Sequence, residues 1–348
     1  MAASSPGRRV AVVLFNLGGP DSPKAVRPFL FNLFRDPAII ALPGPARLAV
    51  AGLISGLRAK GARANYAIMG GSSPLLRETL EQARVLEQAL SARLREAEVR
   101  IFTAMRYWRP TTEQAARDVA AFDPDEVVLL PLYPQYSTTT TGSSSAEWAR
   151  VYRGRGAVRT VCCYPDNDDF VEAHARRIEA TYEAAGRPDG LRLLFSAHGL
   201  PQKVIAGGDP YQWQVERTCQ AVVDRLGPGW DWRICYQSRV GPMKWLGPST
   251  PEAIHAAAED GNGVIISPIA FVSDHIETLV ELDHEYAKLA DQMNCLIYLR
   301  VPALGIQPNF IAALSAVTMR ALEREPATES GCGGRICPAE FGKCPARS

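Results

Sequence analysis

"LRLLFSAHGLP", residues 191–201, decides the fold. Leu191, Leu193, Leu194 and Phe195 place apolar side chains at both odd and even positions. A strand here is therefore buried on both faces, as in a parallel sheet covered by helices. The run ends on His198, and Gly199-Leu200-Pro201 turns the chain. Runs of the same kind recur at 9–17 (RVAVVLFNL), 99–107, 126–133 (EVVLLPLY), 158–164, 232–238, 263–271 (GVIISPIAF) and 295–301. Four of the eight precede about residue 166 and four follow it. In the second half their starts are roughly 30–40 residues apart, the length of a strand–helix unit.

Helical patterns fill the intervals. Residues 73–94 carry leucines at helical spacing, and 209–226 open on Asp209 as N-cap with Pro210 at the first helical position. Residues 309–325 make a late helix that packs back on the first half. The expected architecture is two similar doubly wound, Rossmann-like α/β domains with an active-site cleft between them. Residues 1–166 plus 307–348 form the first, and 167–306 form the second. In such sheets ligands bind beyond the carboxyl ends of the strands.

The 348 residues are 47% hydrophobic and 22% charged, a globular composition with room for about two domains. A net charge of +1 gives no reason to expect nucleic acid as a partner. No apolar run reaches the ~18 residues of a membrane span. "GRRVAVVLFNLGGP" (7–20) imitates a signal peptide, but its apolar run stops at Gly18-Gly19-Pro20 without a cleavage site, so it reads as a buried strand.

Two groups fall at strand carboxyl ends in the second half. A lone histidine is ordinarily a core residue. His198 reads as functional because it ends a buried strand just before a turn. The second group is "SDHIETLVELDHEY" (273–286), read as the start of a helix. Glu277, Glu281 and Glu285 are four apart and share one face, with Asp274 a turn upstream near the positive end of the helix dipole. A solvated acidic face is the ordinary explanation of such a stripe. Here only Lys288 offers a nearby counter-charge, and unpaired carboxylates leading from a strand end suit a path for protons or a hard divalent cation.

Seven stretches together resemble the ferrochelatases, which insert Fe²⁺ into a porphyrin. They are NLGGPDS (16–22), YAIMGGSSPL (66–75), AMRYWRP (104–110), PLYPQYSTTTTGSS (131–144), FSAHGLP (195–201), YQSRVGPMKWLGPST (236–250) and PIAFVSDHIETLVELDHEY (268–286). The resemblance covers nearly the whole chain. It implies the two-domain fold with the porphyrin between the domains. It also implies His198 as the active-site histidine with Glu277 facing it across the porphyrin, both able to ligate the incoming Fe²⁺. His275 supports that pair, and Asp274, Glu281 and Glu285 form an iron or proton conduit. Trp245 packs at the cleft, and Leu17, Tyr66, Ser73, Arg106 and Tyr107 line it or hold propionates. An apolar Leu17, where coproporphyrin enzymes commonly carry tyrosine, points to protoporphyrin IX and protohaem as product. The coproporphyrin reaction and a cobalt chelatase of the same fold are the alternatives. A haem- or iron-binding module without catalysis would not need both His198 and Glu277. Residues 39–57, apolar with Arg47, Arg58, Lys60 and Arg63 at or near their margins, are either a buried helix or, as the resemblance implies, a lip touching the bilayer.

Eight cysteines complete the inventory. Cys219, Cys235 and Cys295 lie in apolar helix or strand patterns and read as core. The tail "GCGGRICPAEFGKCP" (331–345) places Cys332, Cys337 and Cys344 among glycines, where they read as metal ligands without matching a common zinc spacing. Some ferrochelatases hold a [2Fe–2S] cluster on three tail cysteines and one internal cysteine. The resemblance therefore implies such a cluster here, with Cys163 as the internal ligand and Cys162 as the alternative. An iron–sulfur sensor would need only this tail. The compartment expected is the cytoplasm, with membrane association through 39–57. Oligomeric state is not legible.

Overall fold

The computed structural model describes residues 7–239, 241 and 243–346. Residues 1–6, 347 and 348 lie outside these, as do 240 and 242 within the motif at 236–250. The chain divides into two compact units. The first runs to Tyr164 and takes back Ile311–Ile336 and the residues from Pro345. The second is Pro165–Phe310 with Cys337–Cys344.

The first unit is built on β1 (Arg8–Asn16), β2 (Ala97–Met105), β3 (Glu126–Pro131), β4 (Ala157–Val161) and the short β9 (Thr328–Glu329). Their order is β2-β1-β3-β4-β9, and every pairing is parallel. β1 is central, with Val12 opposite both Ile101 and Val128. All of its residues from Val10 to Asn16 are buried, as its continuous apolar run requires. The helix Thr112–Phe122 packs over β1 and β2, burying Ala116, Val119 and Phe122 against Val13 and Phe15. A reciprocal cap fixes its start, because Thr111 Oγ1 accepts from Gln114 N while Gln114 Oε1 accepts from Thr111 N.

The second unit is built on β5 (Leu191–His198), β6 (Asp231–Gln237), β7 (Gly263–Pro268) and β8 (Tyr298–Arg300), in the order β6-β5-β7-β8, again all parallel. β5 supplies Leu193, Phe195 and Ala197 to one core and Leu194 to another on the opposite face. Both parities of the strand are thus buried, as expected from residues 191–198.

The boundaries differ from the sequence expectation in the tail. Residues 307–348 were expected wholly in the first unit, yet Cys337–Cys344 belongs to the second. The reason is local bonding. Lys343 N donates to Gly208 O at 3.1 Å, Gln214 Nε2 donates to Cys337 Sγ at 3.1 Å, and the Phe341 ring lies 6.0 Å from Trp213. The preceding stretch stays with the first unit, because β9 pairs with β4 and Gly331 N donates to Cys163 O at 2.7 Å.

Candidate active site

β5 neighbours both β6 and β7, so the strand order reverses there and the carboxyl ends of β5 and β7 flank the switch point. β5 ends on His198. From Pro268 at the end of β7 the chain runs through 269–276 into a π-helix, Glu277–Tyr286. Glu277 Oε2 lies 2.7 Å from His198 Nδ1. Residues 79 apart in sequence thus form one ion-pair-competent contact. Gly199 allows the turn after His198. It donates to Gln237 O at 2.8 Å, and a Cβ on it would lie 2.8 Å from that same oxygen.

Glu281 sits one turn further along and accepts from three donors. Ser238 Oγ approaches at 2.8 Å, Gln237 Nε2 at 3.1 Å and the Tyr286 hydroxyl at 3.4 Å. Ser238 holds a left-handed backbone conformation, φ 61°, a strained position for a residue other than glycine. Gln237 also donates to Glu277 O at 2.7 Å, and Ser196 Oγ donates to its Oε1 at 2.7 Å, which fixes the amide. His275 is buried, and its Nδ1 donates to Ser273 O at 3.1 Å.

The electrostatics separate the two carboxylates. Burial would raise the Glu277 pKa, but the His198 charge and hydrogen bond overcome it and hold the group below its ordinary range. Burial raises Glu281, and the Glu277 charge raises it further, against the donors from Ser238 and Gln237. Burial opposes the charged form of His198. Glu277 more than offsets that penalty and lifts the imidazole above 6.5, and solvent tempers the penalty because 39% of the side chain is exposed. Burial lowers His275 and keeps it neutral, despite Glu277 and Asp274 nearby. Adjacent groups driven apart in this way can divide acid and base roles.

Other expected residues are placed differently. Asp274 is not an unpaired member of a stripe. Arg300, from β8, donates to Asp274 Oδ1 at 2.9 Å and to both oxygens of Asp283 at 2.7 and 2.8 Å. The sequence had offered only Lys288 as counter-charge. Glu285 continues the stripe but is exposed. Trp245 is half-buried beside Gly199, with its ring 3.7 Å from where a Cβ would stand.

In the first unit, Tyr107 is 2% exposed and its hydroxyl donates to Asp36 Oδ2 at 2.8 Å. That hydroxyl is spent inside the fold and does not line an open surface. Arg106 pairs with Asp36 at 2.8 Å and donates to Ser143 Oγ at 2.7 Å, and Ser143 in turn bonds Asp36. Tyr66 is buried. Ser73 Oγ accepts from Leu75 N at 3.3 Å, just ahead of the helix Leu75–Arg93. It also lies so close to Gly19 that a Cβ there would meet its Oγ at 2.4 Å. Leu17 is half-buried just beyond β1. Sequence reading missed Asp36, the buried hub of this cluster, because one aspartate before a proline reads as a turn residue.

The strand expected at 158–164 includes Cys162 and Cys163, but β4 ends at Val161, and the two buried sulfurs lie 3.6 Å apart just beyond it. Among the described residues, no three His, Cys, Asp or Glu side chains are grouped to hold a metal ion.

Solved structures share this fold. SirB from Bacillus subtilis, solved with Fe³⁺, superposes with a TM-score of 0.52 at 14% identity, covering 92% of this chain and 96% of its own. DR2241 from Deinococcus radiodurans, described as structurally similar to chelatases, gives 0.54 at 15% identity, over 92% of this chain and 56% of its own. The Ferrochelatase family model matches residues 9–322. The chain is 59% identical to a ferrochelatase of Phenylobacterium zucineum over 340 residues and 58% identical to one of Caulobacter vibrioides, covering 98% of each chain in both cases. It is 54% identical to one of Hyphomonas neptunium over 341 residues. The chain belongs to the ferrochelatase family, whose members are lyases that insert Fe²⁺ into a porphyrin to make haem.

Proposed function

We propose that this ferrochelatase takes protoporphyrin IX as its porphyrin and that His198 and Glu277 carry the insertion step. The 2.7 Å contact between them is the observation that supports this reading most. A free-base porphyrin must lose two pyrrole protons as iron enters. With Nδ1–H donated to Glu277, a neutral His198 keeps the Nε2 lone pair to accept a pyrrole proton. The imidazolium so formed is stabilised by Glu277. Glu281, whose raised pKa makes it the more readily protonated carboxylate, is the next acceptor. Glu285, exposed at the end of the stripe, passes protons to solvent or admits iron. Bending the macrocycle exposes nitrogen lone pairs, and apolar walls such as Trp245 supply binding energy for that distortion. Arg106 holds a propionate while Asp36 fixes its orientation. Leu17 accounts for the preference for protoporphyrin over a porphyrin richer in propionates.

The test is anaerobic incubation with Fe²⁺ and either protoporphyrin or coproporphyrin, following loss of free-base fluorescence. Faster turnover of coproporphyrin would overturn the substrate assignment. A His198→Ala variant retaining a tenth of the wild-type rate would overturn the residue assignment.

Two further parts of the reading concern partners. The helix Gly44–Ile68 leaves Leu53 and Leu57 64% and 73% exposed, beside Arg58 and Lys60. Those features support peripheral contact with an anionic bilayer in the cytoplasm. No helix among the described residues is long and apolar enough to cross a membrane. The cysteine set of Cys163 or Cys162 with Cys332, Cys337 and Cys344 supports a [2Fe–2S] cluster. Within the first unit the Gly331–Cys163 bond brings Cys332 next to the end of β4, and in the second Gln214 donates to the Cys337 sulfur, as donors to cluster sulfurs do.

A further inference from the structure

We infer that Arg300 is a positioning residue for the His198–Glu277–Glu281 site, acting as a clamp on the segment that carries both glutamates. The inference rests on the reading that these groups carry insertion. Their segment departs from regular α-helix. Residues 269–276 are irregular, and the π-helix that follows uses a widened turn, uncommon over ten residues. Gln237 and Ser238 hold it from the end of β6, and a further hold comes from β8, the edge strand of the second sheet. The Arg300 guanidinium gives Nε and one terminal nitrogen to the two Asp283 oxygens, at 2.7 and 2.8 Å. Its other terminal nitrogen goes to Asp274 Oδ1 at 2.9 Å. Asp274 precedes Glu277 by three residues and Asp283 follows Glu281 by two, so one rigid planar group grips the segment on both sides of the glutamates. Two residues earlier on the same strand, the Tyr298 hydroxyl donates to Leu282 O at 2.8 Å.

The geometry is specific to arginine. A lysine ammonium could keep one carboxylate in contact, but it lacks the planar fork that meets Asp283 with two nitrogens while a third reaches Asp274. The side chains are partly withdrawn from solvent, Arg300 being 15% exposed and Asp274 and Asp283 28% and 30%, so the pairing is less screened than a surface bridge. Arg300 touches neither His198 nor either glutamate, and its effect passes through the backbone of the segment it holds.

The test compares Arg300→Gln and Arg300→Lys with wild type. Hydrogen exchange at the amides of 277–282, measured on full-length protein without iron or porphyrin, should quicken about tenfold in both variants. In insertion assays kcat should fall about 10²-fold, the scale of an ångström of misplacement, while KM for porphyrin stays within about twofold. The lysine variant should regain thermal stability without regaining kcat. A kcat loss that follows melting temperature and recovers in Arg300→Lys would reduce Arg300 to a structural ion pair and overturn the inference. Wild-type exchange and turnover in Arg300→Gln would do the same. Should Arg300→Gln fail to fold, Asp274→Asn removes one arm and carries the same expectations at reduced size. If wild type itself inserts no iron, the insertion reading fails, and faster exchange confined to 277–282 still identifies the clamp.

Discussion

At the scale of single residues, the chemistry turns on how Glu277 and Glu281 are driven apart. Glu281 is raised above 4.5 by burial and by the Glu277 charge. A carboxyl raised on folding binds a proton that the unfolded chain has already released. Stability therefore falls as pH climbs from 4.5 through the raised value. Replacing it with glutamine removes that penalty. We expect Glu281→Gln to melt with wild type at about pH 4 and above it at about pH 8, by calorimetry. A difference independent of pH would show that Glu281 is not raised. His198 is lifted above 6.5 chiefly because Glu277 outweighs the burial penalty. If neutral His198 accepts the pyrrole proton, the acid limb of the insertion rate lies above that value. Glu277→Gln should then slow insertion by about 10²-fold and move what activity remains toward lower pH. An unmoved limb would assign the titration to another group.

At the scale of elements, much of the arrangement was legible and the remainder had physical reasons not to be. The parallel sheets could be read because β1, β3, β5 and β7 carry apolar residues at both parities, a pattern few other elements share. His198 could be placed because it ends such a run. The π-helix could not, since acidic residues at i and i+4 read equally as an α-helix, and the bonds it receives from Gln237 and Arg300 come from strands distant in sequence. The counter-charge of Asp274 was hidden for the same reason, coming from a strand that is adjacent in space and distant in sequence. The 39–57 segment read equally as buried or membrane-touching. The helix Gly44–Ile68 buries Ala51, Ser55 and Ala59 while leaving Leu53 and Leu57 outside. Leu53→Asp with Leu57→Asp should therefore abolish co-sedimentation with phosphatidylglycerol vesicles while leaving the melting temperature within about 2 °C, because the replaced surface is exposed in the folded chain. Retained binding would assign that apolar face elsewhere.

At the scale of the whole molecule, the tail is where the sequence boundary and the structural one part. Cys332 belongs to the unit of β1–β4 and β9, whereas Cys337 and Cys344 belong to the unit of β5–β8. The proposed cluster would join the tail cysteines to an internal cysteine just past β4. Its binding energy would enter the stability of the chain as a cross-link, not only that of the tail. Joining Cys163 to Cys332 closes a loop of roughly 170 residues, worth about 5 kcal/mol in the chain-entropy model. Protein purified without oxygen should carry about two irons and two sulfides per chain and absorb in the visible. Serine at Cys332, Cys337 or Cys344 should bleach it and lower its melting temperature. Serine at Cys219 or Cys295, which lie among core residues in the second unit, should leave the colour intact. Comparing Cys162→Ser with Cys163→Ser identifies the internal ligand. Stripping the iron with a chelator should reproduce the stability loss of the tail variants in wild type and add nothing to it in those variants, since the same cross-link cannot be lost twice. A colourless, zinc-loaded protein would remove the cluster. Additive losses would mean that the tail cysteines stabilise the fold by packing alone.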